Sequence, residues 1–233
     1  MILTIKDLTK QYHLKNNDIT VLENICLTVN EHEVIAILGT SGCGKSTLLS
    51  IISSLLNYDS GTIKYKDHFN YGYMLQKDML LPYLTVKENC LLGLRIKKQI
   101  NEEKLKQLDD LLIKYHLKNY EDSYPDNLSG GMRQRVALIR TILLDPDLYL
   151  LDEPFSALDY QNKKMLLNDI KKLIDEKHQS MIIVTHDVNE AISLANRIII
   201  LSNKPAHIIK EITLDNPDID YLTLVESYIK DEV

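Results

Sequence analysis

The chain has no tryptophan, only two phenylalanines and only three cysteines in 233 residues. The cysteines, Cys26, Cys43 and Cys90, are odd in number and form no C-x-x-C pair. A disulfide framework and a structural zinc site are therefore not expected, and a reducing compartment is. Long apolar runs are also missing. The longest, such as Ile198 to Leu201, are strand-sized, far below the roughly 18 residues of a membrane-spanning helix. No basic leader precedes an apolar stretch; Ile2 to Lys6 alternates like a strand instead, so no signal peptide is expected. Any membrane role must then come through a partner. Nor is there an excess of positive charge. Lys and Arg number 27 against 33 Asp and Glu, a net charge of -6, which argues against a nucleic-acid partner and reads as ordinary solubility charge.

What is present is a globular profile, 45% hydrophobic and 26% charged, on a chain long enough for one large domain. Ile2 to Leu8 and Val21 to Val29 alternate as strands around a turn cluster at Asn16-Asn17-Asp18. Val34 to Leu38 is a continuous apolar run, as are Leu148 to Leu151, Met181 to Val184 and Ile198 to Leu201. Such runs predict strands buried on both faces. Helical spacing follows or separates them at Ser46 to Leu56, Gly131 to Leu144, Gln161 to Lys177 and Val188 to Ala195. Alternating strands and helices imply an α/β fold with a mostly parallel sheet covered on both sides. Residues 85–128 differ, with helical spacing and no buried-strand run. They read as a helical subdomain inserted between two parts of a core, 1–84 and 129–233. From Pro205 a last strand, a loop with Pro217 and a short helix at Tyr221 to Ile229 are expected.

Three motifs carry chemistry. Gly39-Thr40-Ser41-Gly42-Cys43-Gly44-Lys45-Ser46 fits the phosphate-binding loop G-x-x-x-x-G-K-[ST]. Its glycines let backbone N–H groups wrap a polyphosphate, and the following helix points its N-terminus at the anion. In that setting Lys45 reaches the β- and γ-phosphates and Ser46 binds Mg²⁺. The second motif is an apolar strand ending in two acids, Asp152 and Glu153. Alone, that pair is more often a solvated loop. Beside a phosphate loop, Asp152 suits a water-mediated role at Mg²⁺ and Glu153 a general base or water-orienting group. The third is Leu128-Ser129-Gly130-Gly131 opening a helix, with Ser129 as its cap. Spacing alone fits an ordinary capped helix. As an anion site it would be one more than a single nucleotide needs, and it would serve a second phosphate or a second subunit.

Together the phosphate loop, Leu128 to Gly131 and Leu151-Asp152-Glu153-Pro154, followed by Ser156-Ala157-Leu158-Asp159, resemble the ABC transporter ATPases over essentially the whole chain. Tyr12, Gln76 and His186 fall in the family's order as well. The resemblance implies a P-loop NTPase core with an N-terminal antiparallel β subdomain and an inserted helical one. It implies two copies stacked head to tail, with ATP and Mg²⁺ between Gly39 to Thr47 of one and Ser129 to Gly131 of the other. Tyr12 would stack on adenine, Gln76 would touch Mg²⁺ and the attacking water, His186 would hold the γ-phosphate and Glu153, and Asp159 would connect the two sites. The partners implied are membrane permease subunits and, indirectly, an extracellular solute-binding protein. The place implied is the cytoplasmic face of the cell membrane.

Leu128 lies only 52 positions after Gln76, which leaves no room for the coiled-coil insertion of DNA-repair relatives. The run Met74 to Asn89, the Ser129 to Arg135 segment with Met132, and Ser202-Asn203-Lys204-Pro205 are similar to importer ATPases for nitrate, sulfonates, taurine and thiamine-precursor pyrimidines. Tyr83 stands where that group usually has tryptophan. The patch Leu80 to Leu84 is the expected seat for a helix of the permease, or part of the helical subdomain's core. Export or mechanical signalling is the alternative to import, and a non-enzymatic module with a degenerate site is a third reading. Cys43, beside Lys45 at a helix start, is expected to be a reactive thiol whose alkylation blocks ATP binding.

Overall fold

The computed structural model describes residues 1–13, 17–156, 158–177 and 179–230. Asn16 of the expected turn and Ala157 lie outside the described residues. Two sheets organise the chain. In the smaller one β1 (Leu3–His13) sits between β2 (Asp18–Val29) and β4 (Ser60–Tyr65), antiparallel to both. The larger sheet runs β5 (Tyr71–Met74), β6 (Leu148–Asp152), β7 (Ser180–Val184), β3 (Val34–Leu38), β8 (Arg197–Leu201) and β9 (Ile208–Thr213). All its pairings are parallel except β8 with β9. The architecture is that of a mixed, mostly parallel sheet with an antiparallel sheet against it.

Every residue of β3, β6 and β7 is buried, as strands covered on both faces require. Successive side chains of a strand point to opposite faces, and the core divides accordingly. Tyr149, Leu151, Met181 and Ile183 join a cluster with α2 (Val86–Ile96), α3 (Glu102–Lys114) and α4 (Gly130–Ile142). Leu148, Leu150, Ile182 and Val184 join one with β1, β2 and α1 (Lys45–Ile52). A third cluster places Ile198 and Ile200 of β8 against α6 (Val188–Leu194) and α7 (Tyr221–Lys230). α5 (Tyr160–Lys177) connects β6 to β7.

Polar caps start the helices where the sequence places them. Thr85 and Glu88 form a reciprocal capping box on α2. Asn101 caps α3, Ser129 caps α4 and Asp187 caps α6. α1 is shorter than the helical spacing to Leu56 suggests. It ends at Ile52, because the Ser53 hydroxyl bonds back to Ser50 O and Ser54 takes a positive φ of 57°. Residues 85–128 hold α2 and α3 and no strand. No helix among the described residues is long and apolar enough to cross a membrane.

Candidate functional site

Because β5, β6, β7 and β3 are consecutive and parallel, the loops at their carboxyl ends meet at one edge of the sheet. Each of those loops carries an expected site residue: Gln76 after β5, Asp152 and Glu153 at the end of β6, His186 after β7, and 39–47 after β3. Residues 76 and 153, far apart in the chain, thus become neighbours.

The 39–47 loop is held by its own contacts. Gly42 and Gly44 have φ of 78° and 130°, conformations open to glycine. A Cβ on Gly44 would also lie 2.9 Å from Leu22 and 3.0 Å from Val21, so strand β2 forms the wall behind the loop. Lys45 is 5% exposed. Its ammonium donates to Gly39 O at 2.9 Å and Thr40 O at 2.8 Å. The Thr40 hydroxyl donates to Asn203 Oδ1, a brace from the turn after β8. Cys43 turns its thiol inward, buried in the cluster beneath the loop and close to Gly39. The expectation of a reactive thiol is corrected here: the side chain is shut off from solvent by the loop itself.

Ser41, Gly42, Gly44 to Thr47, Gln76 and Glu153 line one hollow of about 300 Å³. Asp152, 2% exposed, adjoins it through the Ser46 hydroxyl. Burial pushes its carboxyl above the usual value, with Glu153 adding to the rise, while the Ser46 hydroxyl and Lys45 oppose it. Its Oδ1 is buried without a hydrogen-bond partner. A carboxylate oxygen of that kind beside a hydroxyl suits a divalent cation or its water. No group of three or more His, Cys, Asp or Glu among the described residues could hold a metal.

Glu153 is a non-glycine residue at φ 48°, a strained conformation that surrounding contacts must fix. They do so on three sides. Its N–H donates to Val184 O at 2.9 Å, and its carbonyl accepts from Ser156 N–H and from Gln134 Nε2. The carboxylate faces two side chains. Gln76 Nε2 donates to Oε2 at 3.2 Å, and His186 Nδ1 lies 3.7 Å from the same oxygen.

The other expected residues stand apart from that hollow. Ser129 is exposed and accepts the Met132 N–H at 3.3 Å, and the half-buried Gly130 lines a neighbouring hollow with Gln76 to Leu80 and Arg133. Asp159 accepts the Asn162 N–H at 3.0 Å and opens α5. Tyr12 is 39% exposed on β1, with the Lys10 ammonium 5.5 Å above its ring. Two contacts are given no role by the sequence motifs. Gln134 ties helix α4 to the backbone of Glu153, and Arg140 donates to the carbonyls of Asp78 and Met79, fastening the Gln76 loop to the same helix. A polar residue on the core face of α4 is the one sequence signal for the first.

The ABC transporter family profile matches residues 22–156. The aliphatic sulfonates import ATP-binding protein SsuB of Bacillus cereus (strain ZK / E33L) is 39% identical over 218 residues, 91% of this chain and 86% of that protein. The formylaminopyrimidine import ATP-binding protein ThiZ of Halalkalibacterium halodurans is 38% identical over 218 residues, 94% of this chain and 86% of that one. Among solved structures, a dimeric post-hydrolysis state of the ATP-binding cassette MJ0796 bound to ADP and Pi superposes with a TM-score of 0.84. It is 30% identical and covers 92% of this chain and all of that one.

Proposed function

The chain belongs to the ABC transporter family of ATP-hydrolysing subunits, and we propose that it energises uptake of a small solute through a membrane permease. The solute classes that similarity favours are aliphatic sulfonates and thiamine-precursor pyrimidines, from the names of SsuB and ThiZ. The observation that carries the catalytic reading is the Glu153 carboxylate, held between Gln76 and His186 at the rim of the phosphate-loop hollow.

In this reading the N–H groups of residues 39–47 wrap the phosphates of ATP, and Lys45 exchanges its two carbonyl partners for phosphate oxygens. Ser46, Asp152 and Gln76 would hold Mg²⁺, which would supply neutralisation of phosphate charge. Glu153 orients the attacking water and accepts its proton. Gln76 and His186 fix the carboxylate from either side, and His186 also meets the γ-phosphate. Water attacks the γ-phosphorus and ADP leaves.

Ser129 to Gly131 do not line this hollow, and the head-to-tail arrangement supplies them from a second copy. The Ser129-capped N-terminus of α4 then meets the γ-phosphate across the interface, Asp159 links the two sites, and Tyr12 stacks on adenine. Residues 85–128 form the helical subdomain, and the turn holding the exposed Met79 and Tyr83 (57% and 71%) receives the permease on the cytoplasmic face. Asn89 braces that turn, accepting the Leu81 N–H and donating to Leu81, Leu84 and Thr85 carbonyls.

The test is reconstitution in liposomes with a permease and a solute-binding protein of the sulfonate or formylaminopyrimidine class. Uptake of an alkanesulfonate or a formylaminopyrimidine that requires internal ATP supports the reading. ATP-driven movement of solute in the opposite direction, or hydrolysis coupled to no solute flux, overturns it.

A further inference from the structure

An ion cluster lies directly behind His186, and the steps above make no use of it. The Lys163 ammonium, in the first turn of α5, is 2.6 Å from Asp187 Oδ2 and 2.7 Å from Glu190 Oε1. Glu190, 6% exposed, also accepts the Thr185 hydroxyl. Asp187 uses its other oxygen to cap α6, and its N–H donates to Thr185 Oγ1 at 3.1 Å. Both chain neighbours of His186 are therefore bound into one cluster centred on Lys163. The His186 side chain itself is 68% exposed, so its placement follows from the backbone its neighbours hold.

The far end of the cluster is equally specific. Asp159 O accepts the Lys163 N–H at 2.8 Å, and the Asp159 side chain opens the same helix. Two carboxylates around one ammonium, largely out of water, attract it strongly and repel each other without it. Burial alone would lower the Lys163 ammonium, but Asp187 and Glu190 outweigh it and hold it above its usual value.

We propose that Lys163 is a positioning residue for His186. It clamps residues 185–187 so that the imidazole stays within reach of Glu153, and it makes that placement depend on the segment that Asp159 begins. The inference rests on the reading of His186 as a residue of the hydrolytic site. It adds a mechanical path, inside one copy, from the Asp159 segment to the γ-phosphate.

Steady-state ATP hydrolysis by the full chain tests it, with Lys163→Met, Lys163→Arg, His186→Ala and the Lys163→Met/His186→Ala pair. Lys163→Met is expected to lower kcat about tenfold while KM for ATP stays within about twofold, a split that marks an effect on the chemical step. Lys163→Arg should recover most of the loss. On the His186→Ala background, Lys163→Met should add nothing, since residues acting through one another are not additive. Unchanged kcat in Lys163→Met, or an undiminished loss on the His186→Ala background, overturns the clamp. Wild-type turnover in His186→Ala would instead remove the reading of His186, and the clamp with it. Should Lys163→Met not fold, Lys163→Met with Glu190→Gln relieves the carboxylate repulsion and carries the same test. If that pair is unfolded too, the cluster is a folding strut and the proposal falls.

Discussion

Gln76 Nε2 donates to Glu153 Oε2 across 3.2 Å, joining the loop after β5 to the loop after its neighbour β6. This amide and carboxylate link the 39–47 hollow to the loop that continues into the turn at Met79 to Tyr83. Glu153→Gln is expected to cut turnover roughly 100-fold or more, the usual contribution of a general base, while ATP binding persists. With Mg-ATP the variant should elute as a stable dimer in size-exclusion chromatography. A monomeric variant with wild-type turnover would remove Glu153 from the mechanism.

Lys45 donates to two carbonyls of its own loop. Lys45→Met therefore loses charge-assisted hydrogen bonds in the free protein and phosphate contacts in the bound one. Affinity for ATP should fall about tenfold to 100-fold, read by titration with a fluorescent ATP analogue. Unaltered affinity would place the phosphates elsewhere.

The three thiols differ in access. Cys26 is exposed, while Cys43 and Cys90 are buried. Maleimide labelling followed by mass spectrometry should find Cys26 modified first in the free protein and Cys43 only slowly. Mg-ATP should slow Cys43 further and leave Cys26 unchanged. Rapid labelling of Cys43 would mean that the 39–47 loop opens readily in solution.

Asp152 is buried with an unpartnered oxygen, and burial holds its carboxyl above the usual value. A raised folded-state value means that ionised Asp152 costs stability at neutral pH, and that this cost is relieved as pH falls through the raised value. Asp152→Asn removes the charge, so the nucleotide-free protein should melt about 2–4 °C higher and lose Mg²⁺-dependent hydrolysis. A lower melting temperature would show that the carboxylate is satisfied in the free protein.

Asp147 behaves in the opposite sense. Burial pushes it up, but Lys66, 2.8 Å away, and the Asn70 N–H outweigh burial and hold it below the ordinary 3.8. A depressed folded-state value contributes stability that is present above the unfolded value and lost as pH falls through the lowered one. The loss belongs below about pH 4. Urea unfolding at pH 7 and pH 3 should therefore show a smaller difference for Lys66→Met than for the wild type. An equal difference would mean that the pair contributes nothing to acid sensitivity.

The strands legible in the sequence are those that bury both faces: Val34 to Leu38, Leu148 to Leu151, Met181 to Val184 and Ile198 to Leu201 are unbroken apolar runs. β4 and β5 escape that reading for physical reasons. β4 (SGTIKY) keeps most of its side chains exposed. In β5, Gly72 sits where a Cβ would lie a tight 3.0 Å from both Pro146 and Thr141, and a glycine hides the apolar pattern. The site divides in the same way. Gly39 to Thr47 announce themselves by local spacing, and Asp152 and Glu153 stand out only once read beside that loop. The meeting of Gln76, Glu153 and His186 depends on the order of strands in the sheet, which no local pattern encodes. The inward turn of the Cys43 thiol follows from close packing beneath Gly39, so its position beside Lys45 misleads about its access.

The wall behind Gly44 has a further consequence for how the molecule can be divided. Val21 and Leu22 close the back of the phosphate loop, and the same strand exchanges hydrogen bonds with Ala206 through Val21 O and Glu23 N–H. The small antiparallel sheet is thus no detachable ornament. A fragment trimmed to begin at β3 would keep every residue of the phosphate-loop motif and lose the surface that gives the motif its shape. The surroundings of the 39–47 loop are discontinuous in sequence, assembled from the opening hairpin and the turn that follows β8.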